Sequence, residues 1–396
     1  MAGLLINKYF AVQFGAVGVS LFAHFQNLLN LLYLPVNEGV HKGLIKAWND
    51  TNVSAWQKRR YFWAGLAING SLLAVSGGAL WLGRAFFITE FGITSGYAGW
   101  AALVVLGLSA QILHFLGISY LLSQDRIPAY AFFNVLGGIS AIAVLWFWNA
   151  STLATALLAY HVGSASVGVL TTLYVGRLWW RRAWLRPVFS LNQNDFTLPL
   201  SFVLMAGSVS VFEKGGQFLI RSWAMETFTE QVVGEWQAVV KLSDSYALVF
   251  ASTFVVIFFP KLSTLIHHPE ERRRYLREVF GLITPLLLLL LGAVFLLREH
   301  LLRLLFSEEF VPAARWVWYV VIGDFFRLQQ YFLSQLLLAA GEMRRYIILQ
   351  IVFNTVYLSA AFSAVYAGDP EGLLQALMGS YVLAALVLFW VVRRWW

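Results

Sequence analysis

Three stretches of this chain, 97–122, 128–148 and 277–297, run without interruption through apolar residues, with charge only at the edge of the last. A helix needs ~20 such residues to cross the ~30 Å hydrocarbon layer of a bilayer. The runs are continuous and do not alternate with period two, which excludes an outer-membrane barrel. The rest of the chain agrees: 59% of residues are hydrophobic and 12% charged, with a mean hydropathy of +0.69. A soluble domain is nearer half apolar. The fold class is an all-α polytopic membrane protein. Hydrophobic patterning predicts twelve spans, at 2–15, 18–40, 61–83, 97–122, 128–148, 153–176, 196–223, 234–259, 277–297, 314–338, 346–367 and 373–392.

The net charge of +8 does not point to nucleic acid, because of where it sits. Basic residues gather in alternate short loops, around Lys42 to Arg60, at Arg126, at Arg177 to Arg186, at Lys261 to Arg277, at Arg344 and Arg345, and at Arg393 and Arg394. The intervening loops hold only Arg84, Arg298, Arg303 and Arg315. This asymmetry is the positive-inside pattern, and it puts both termini in the cytoplasm of an inner (plasma) membrane protein. Trp179, Trp180, Trp184, Trp316, Trp318, Trp395 and Trp396 mark the expected span edges. The longest polar connector, 177–195, divides the chain into an N-terminal lobe (1–176) and a C-terminal lobe (196–396) of six spans each. Both connectors of a faint internal echo, 14–29 against 230–248, fall on the same side, as in parallel repeats. Span one is short: ~14 residues precede the turn expected at Gly15–Gly18, or ~21 Å of helix. A start codon upstream is the expectation from that shortfall. The opening MAGLLINKYF lacks the features of a cleavable signal peptide.

Charges inside the spans carry the functional signal. Lys8, Lys214, Arg221, Lys241 and Arg327 fall within them, with Glu38, Glu213, Asp244 and Asp324. Each costs about 2.5–3.5 kcal/mol at the membrane centre on insertion scales, so lipid-facing placement is disfavoured. Helical spacing gathers them into stripes: Ser210, Lys214, Gln217 and Arg221; Gln237, Lys241, Asp244 and Ser245; Asp324, Arg327, Tyr331 and Gln335; Ser20, His24, Asn27 and Glu38. Half-polar helices facing one another imply a water-filled cavity. Asp324 with Arg327, and Lys241 with Asp244, are one turn apart and can neutralise each other. Arg221 has no acid within four residues, and Glu213 points away from Lys214, so these two cations are the leading ligand candidates. The remaining cationic character suits an anionic cargo, with phosphate the natural partner of Arg and Lys. His24 reads first as a satisfied interior histidine, with proton carriage as the alternative. The small-residue run HVGSASVG (161–168) reads as close helix packing.

The chain has no cysteine, so disulfide and thiolate-metal chemistry is excluded, and no metal site or cofactor is expected. There is no G-x-x-x-x-G-K-[ST] motif and no external loop large enough for a catalytic domain, which argues for a transporter and against an enzyme.

The segment VVGEWQAVVKLSDSYALVFASTFVVIFFPKLSTL (232–265) resembles the eighth-helix region of Wzx-type flippases, in particular the enterobacterial common antigen lipid III flippases and O-antigen translocases. Gly234, Trp236, Gln237, Ser243, Asp244, Tyr246, Pro260 and Leu262 carry the likeness, Arg221 falls where those proteins also have a basic residue, and IGDFFR (322–327) is similar to their G-D-x-x-[KR]. The resemblance implies the MATE/MOP-like fold of two six-helix lobes around a central cavity, and export of an undecaprenyl-pyrophosphate-linked oligosaccharide by alternating access. It also implies a polysaccharide-assembly setting, with the bilayer, a glycan polymerase and a chain-length regulator as partners. Lys214, Arg221, Lys241, Arg327, Gln217, Gln237, His24 and Asn27 are then the expected cargo contacts, and Asp244, Asp324, Glu38 and Glu213 the coupling or charge-pairing acids. Two rivals stand beside this reading. A MATE-type drug exporter would want an acidic cavity and a carboxylate near helix one, where only Lys8 is found; a glycan polymerase or ligase would want a large external loop.

Overall fold

The structure, a computed structural model, describes residues 2–34, 39–49, 53–181, 188, 190–210, 214–253, 258, 261–262, 265–266 and 268–393. Its helices in chain order are α1 (Ala2–Leu34), α2 (Lys42–Asn49), α3 (Ala55–Leu82), α4 (Arg84–Glu90), α5 (Tyr97–Ser123), α6 (Ile127–Trp148), α7 (Leu153–Arg181), α8 (Gln193–Ser210), α9 (Gly216–Thr227), α10 (Glu230–Thr253), α11 (Pro269–Leu296), α12 (Arg298–Leu305), α13 (Val317–Ala339), α14 (Met343–Tyr366) and α15 (Pro370–Val392), with a 3-10 helix at Glu308–Trp316. Helices are what lipid allows, because every backbone N–H and C=O away from water must be satisfied within the segment. Eight of them, α1, α3, α5, α6, α7, α11, α14 and α15, are long and apolar enough to cross a membrane. The lipid-facing stripe is plain on α11, where Leu282, Leu286, Leu289 and Leu296 are 72, 54, 72 and 77% exposed while Leu287, Leu291 and Val294 are buried. The 24-residue α10 and 23-residue α13 have the length to span but carry the charged residues.

The turn expected near Gly15 is present. Gly15 adopts φ 59°, ψ −151°, a backbone state open essentially to glycine alone. The chain doubles back there, so that Phe10 and Phe22 stack with ring centroids 4.3 Å apart. In an unbroken helix those residues would be about 18 Å apart. Residues 2–14 form the described arm before the turn.

The chain forms two compact units, one of Met1–Ile6 and His24–Gly215, the other of Asn7–Ala23 and Gly216–Trp396. In the first, α7 packs along both α5 and α6. The run HVGSASVG makes this possible: Gly163 faces the Ala141 backbone of α6 and Gly168 the Ala110 backbone of α5, so that neither position has room for a side chain. Arg60 of α3 holds the start of α8, donating from Nε (2.8 Å) and Nη2 (2.5 Å) to Asp195. Trp56 covers the guanidinium at 4.4 Å. The bonds from Arg60 keep the Asp195 carboxyl below the usual carboxylate range, and that carboxyl also caps the backbone N–H of Asn192 at 2.6 Å. In the second unit, the core joins Ala11, Ala16 and Val19 of α1 to Trp236, Phe306, Phe310, Trp316 and Leu373. A further cluster packs Phe258, Phe332, Leu336 and Leu388.

The span expected over 196–223 is described as two helices, α8 ending at Ser210 and α9 beginning at Gly216. Lys214 and Gly215 are helical and run directly into α9, residues 211–213 lying outside the described residues; by contact Lys214 falls in the first unit and Arg221 in the second.

Gly15→Ala is expected to lower stability by about 1–3 kcal/mol, from the strained backbone alone. Gly78→Ala, in the interior of α3 with open space around it, serves as the neutral comparison. Thermal unfolding of both variants in detergent measures this, and equal melting temperatures would contradict the turn.

Candidate functional site

Gln217, Arg221, Gln237, Lys241, Asp244, Asp324 and Arg327 all lie in the second unit, on α9, α10 and α13. Arg327 is their junction. Its Nη1 and Nη2 each donate to Oδ1 of Asp244 at 3.1 Å, and Nη1 also reaches Ser243 Oγ at 3.3 Å. Asp324 Oδ1 lies 3.6 Å from Nη1, and the Tyr381 ring of α15 stacks beneath the guanidinium at 5.4 Å. Asp324 is wholly buried and accepts the Tyr246 hydroxyl. The expected Asp324–Arg327 pair is therefore present, and Arg327 also takes Asp244, the acid first matched to Lys241. One arginine thus ties α10, α13 and α15 together, with its charge shared between two carboxylates.

Arg221 is held differently. It is 6% exposed, its Nη1 donates to the Ala23 carbonyl of α1 at 2.9 Å, and its guanidinium lies 5.8 Å from the Trp236 ring. Its Nε is buried without a hydrogen-bond partner among the described residues. Asp244 and Tyr357 are its electrostatic neighbours. Gln237, on α10 next to Trp236, is wholly buried, and neither amide atom has a partner among the described residues. Each unmet polar group of this kind costs about 1–3 kcal/mol. A site that tolerates such a cost can recover it on binding a polar ligand. Arg221, Lys241 and Arg327 share α9, α10 and α13 with Asp244 and Asp324, and α10 also buries Glu235, which pairs with Arg315.

The remaining sequence candidates are placed elsewhere. Gln217 is half-buried at the start of α9 and Lys214 half-buried just before it, while Glu38 and Glu213 lie outside the described residues. His24 and Asn27 are buried on the second arm of α1 and belong to the first unit. His24 Nε2 is 2.9 Å from Glu90 Oε1. Sequence reasoning missed Glu90, because 66 positions separate it from His24 and no helical spacing links them. Its only sequence signal is an acid set among the aromatics of AFFITEF. Lys8, another cation expected within a span, donates to the Leu304 carbonyl at 2.8 Å.

The fold is that of the MOP-superfamily transporters. The chain superposes on a structure titled "Lipid II flippase MurJ, inward closed conformation" with a TM-score of 0.75, covering 99% of this chain and 85% of that one at 11% identity. It matches an inward-facing multidrug resistance MATE family transporter of the MOP superfamily at 0.74, covering 99% and 92% at 14% identity. These likenesses define architecture only. In sequence the chain is similar to the lipid III flippases of Escherichia coli (strain K12) and Shigella flexneri, each 26% identical over 403 residues, 96% of this chain and 92% of the relative. No family model matches the chain. Its apolar helices and these relatives make it a multi-pass protein of the inner membrane.

Removing the guanidinium in Arg327→Ala is expected to lower the melting temperature and the yield of folded protein, because it leaves Asp324 buried beside no cation. Asp324→Asn in the same chain should restore much of the loss. Fluorescence-detected size-exclusion after heating measures both, and no rescue by the second change would show that the two side chains are not coupled.

Proposed function

We propose that this chain is a flippase that carries an undecaprenyl-pyrophosphate-linked oligosaccharide, a lipid III or O-antigen unit, from the cytoplasmic to the periplasmic leaflet. The observation that carries the reading is Arg221, buried in the second unit against a carbonyl and an indole, in a chain similar to lipid III flippases along nearly its whole length. A pyrophosphate supplies an acceptor for the buried Nε of Arg221 and partners for the Gln237 amide, with Lys241 and Arg327 as further cations on α10 and α13. Gln217, at the start of α9, and Lys214 are the further proposed contacts. Asp244 and Asp324 hold Arg327 in place when no cargo is bound, so that the incoming anion competes for a cation already oriented. The isoprenoid tail stays in lipid while the head crosses.

In this reading the helices make twelve spans in two lobes of six, with 177–195 as the cytoplasmic linker and both termini cytoplasmic. By contact, 7–23 joins the C-terminal unit and α8 the N-terminal one. A glycan polymerase and a chain-length regulator are the proposed partners after release. A MATE-type exporter shares the fold, but a drug cation would be repelled by Arg221, which a carbonyl and a ring do not neutralise.

Arg221→Ala and Lys214→Ala are expected to abolish translocation of the lipid-linked oligosaccharide in sealed vesicles while the proteins still insert. Arg221→Lys should recover only part, because a point charge does not reproduce the guanidinium fork. Wild-type rates in both alanine variants would remove these cations from the cargo path. Uptake of a cationic dye in place of the glycolipid would favour the exporter.

A further inference from the structure

The first unit buries four histidines, and they are not equivalent. His161 donates from Nε2 to the Val104 carbonyl at 2.9 Å and accepts the Tyr33 hydroxyl on Nδ1 at 3.0 Å, which fixes a neutral tautomer. His114 Nδ1 donates to Thr171 Oγ1 at 2.9 Å, since that hydroxyl spends its own hydrogen on Val167. His41 Nδ1 is bonded to the Phe115 carbonyl at 3.0 Å and to the Ser119 hydroxyl. Neutral groups thus hold these three rings. His24 is wholly buried and meets a carboxylate, Glu90, itself only 12% exposed, at 2.9 Å.

That pairing is built by the surrounding fold. Glu90 is the last residue of α4, the short helix between α3 and α5. The next residue, Phe91, wedges among the rings of His24 (5.5 Å), Phe25 (5.5 Å), Phe87 (6.4 Å) and Trp100 (6.0 Å), and is 1% exposed. The aromatic wedge leaves Glu90 little freedom but to face His24. On the same face of α1, Asn27 is 8% exposed, and its amide nitrogen has no partner among the described residues. One position before it, Gln26 donates to the Tyr160 hydroxyl at 3.3 Å. The titratable groups bonded or stacked to residues near His24 on α1 are Tyr160, through Gln26, and His161, against Phe25 and bonded to Tyr33, while Arg84 at the far end of α4 is exposed. With one proton on the ring, the two form a neutral imidazolium–carboxylate pair.

We propose that His24 and Glu90 form a proton-binding site in the N-terminal unit, filled and emptied during transport. One proton from solution enters past Glu90, the partly exposed member, and adds to the imidazole. It leaves to solution when the pair separates, and no other bond changes. His24 therefore serves here as a proton carrier and not as a contact for the glycan. The link to transport rests on the flippase reading; the site itself does not. Its place on α1 gives the link a route, because the preceding residue, Ala23, supplies the carbonyl bound by Arg221.

Two measurements on the full-length protein separate these statements. In lipid nanodiscs with ring-15N histidine, the His24 signal, identified by its loss in His24→Gln, is expected to titrate between pH 5 and 8. Glu90→Gln should shift that transition by at least about one pH unit, as loss of an opposite charge within hydrogen-bond distance does. A ring that keeps one neutral tautomer across that range, or a transition indifferent to Glu90→Gln, would overturn the site. In proteoliposomes loaded with undecaprenyl pyrophosphate bearing a fluorescent oligosaccharide, an imposed pH gradient should change the wild-type rate severalfold. That ratio should fall to about one in Glu90→Gln and partly return in Glu90→Asp. Titration without any gradient response would remove the coupling while keeping the site, and no translocation by wild type would reject the flippase reading alone.

Discussion

A charge in the hydrocarbon layer must be given a partner within the protein, and most of what distinguishes this chain follows from that requirement. Arg327 meets it with two carboxylates, Asp244 and Asp324, and so binds α10 to α13 by a bridge that lipid cannot dissolve. Arg221 meets it with weaker partners, a backbone carbonyl and the face of an indole. The difference separates a cation whose charge is already balanced from one that still has binding capacity. A carbonyl and a ring stabilise a guanidinium without neutralising it, so the field of Arg221 remains available to an anion.

The same requirement explains how two transport chemistries can share this architecture. The MATE transporter and the flippase that the chain superposes on have similar backbones. Helix packing sets that backbone, through small residues such as Gly163 and Gly168 and through cores such as Trp236 with Phe310. The sign of the interior charge is set by a handful of side chains on half-polar helices. Substituting those changes the acceptable cargo with little effect on the packing, so the fold alone does not identify the cargo.

Much of this was legible in the chain because lipid makes the code simple. Span positions follow from apolar runs, and 97–122, 128–148 and 277–297 fall on α5, α6 and α11 with ends within a few residues, save the polar first two turns of α11. The Gly15 turn and the packing role of HVGSASVG also follow from local chemistry. The Asp324–Arg327 pair was readable because three residues is a helical neighbour distance. Legibility stopped where contacts join distant segments. Asp244 was matched to Lys241 by spacing, and its bond to Arg327, 83 positions on, lay beyond that reach. Glu90 and His24, or Arg60 and Asp195, meet only after the chain has folded, and periodicity within one helix cannot foresee them.

The discontinuous makeup of the two units has a consequence for how such a chain can be taken apart. Cut at the long polar connector, the gene would yield two fragments of similar size and similar hydropathy. The second would lack 7–23, and with it Ala11, Ala16 and Val19, which fill the core around Trp236 and Phe310. It would also lack the carbonyl of Ala23 that seats Arg221. The first fragment would lose α8, and Arg60 would be left without Asp195. The halves of the sequence are therefore not interchangeable modules. Each has become dependent on a short segment encoded in the other, so exchange of whole halves between related chains has to carry those segments along.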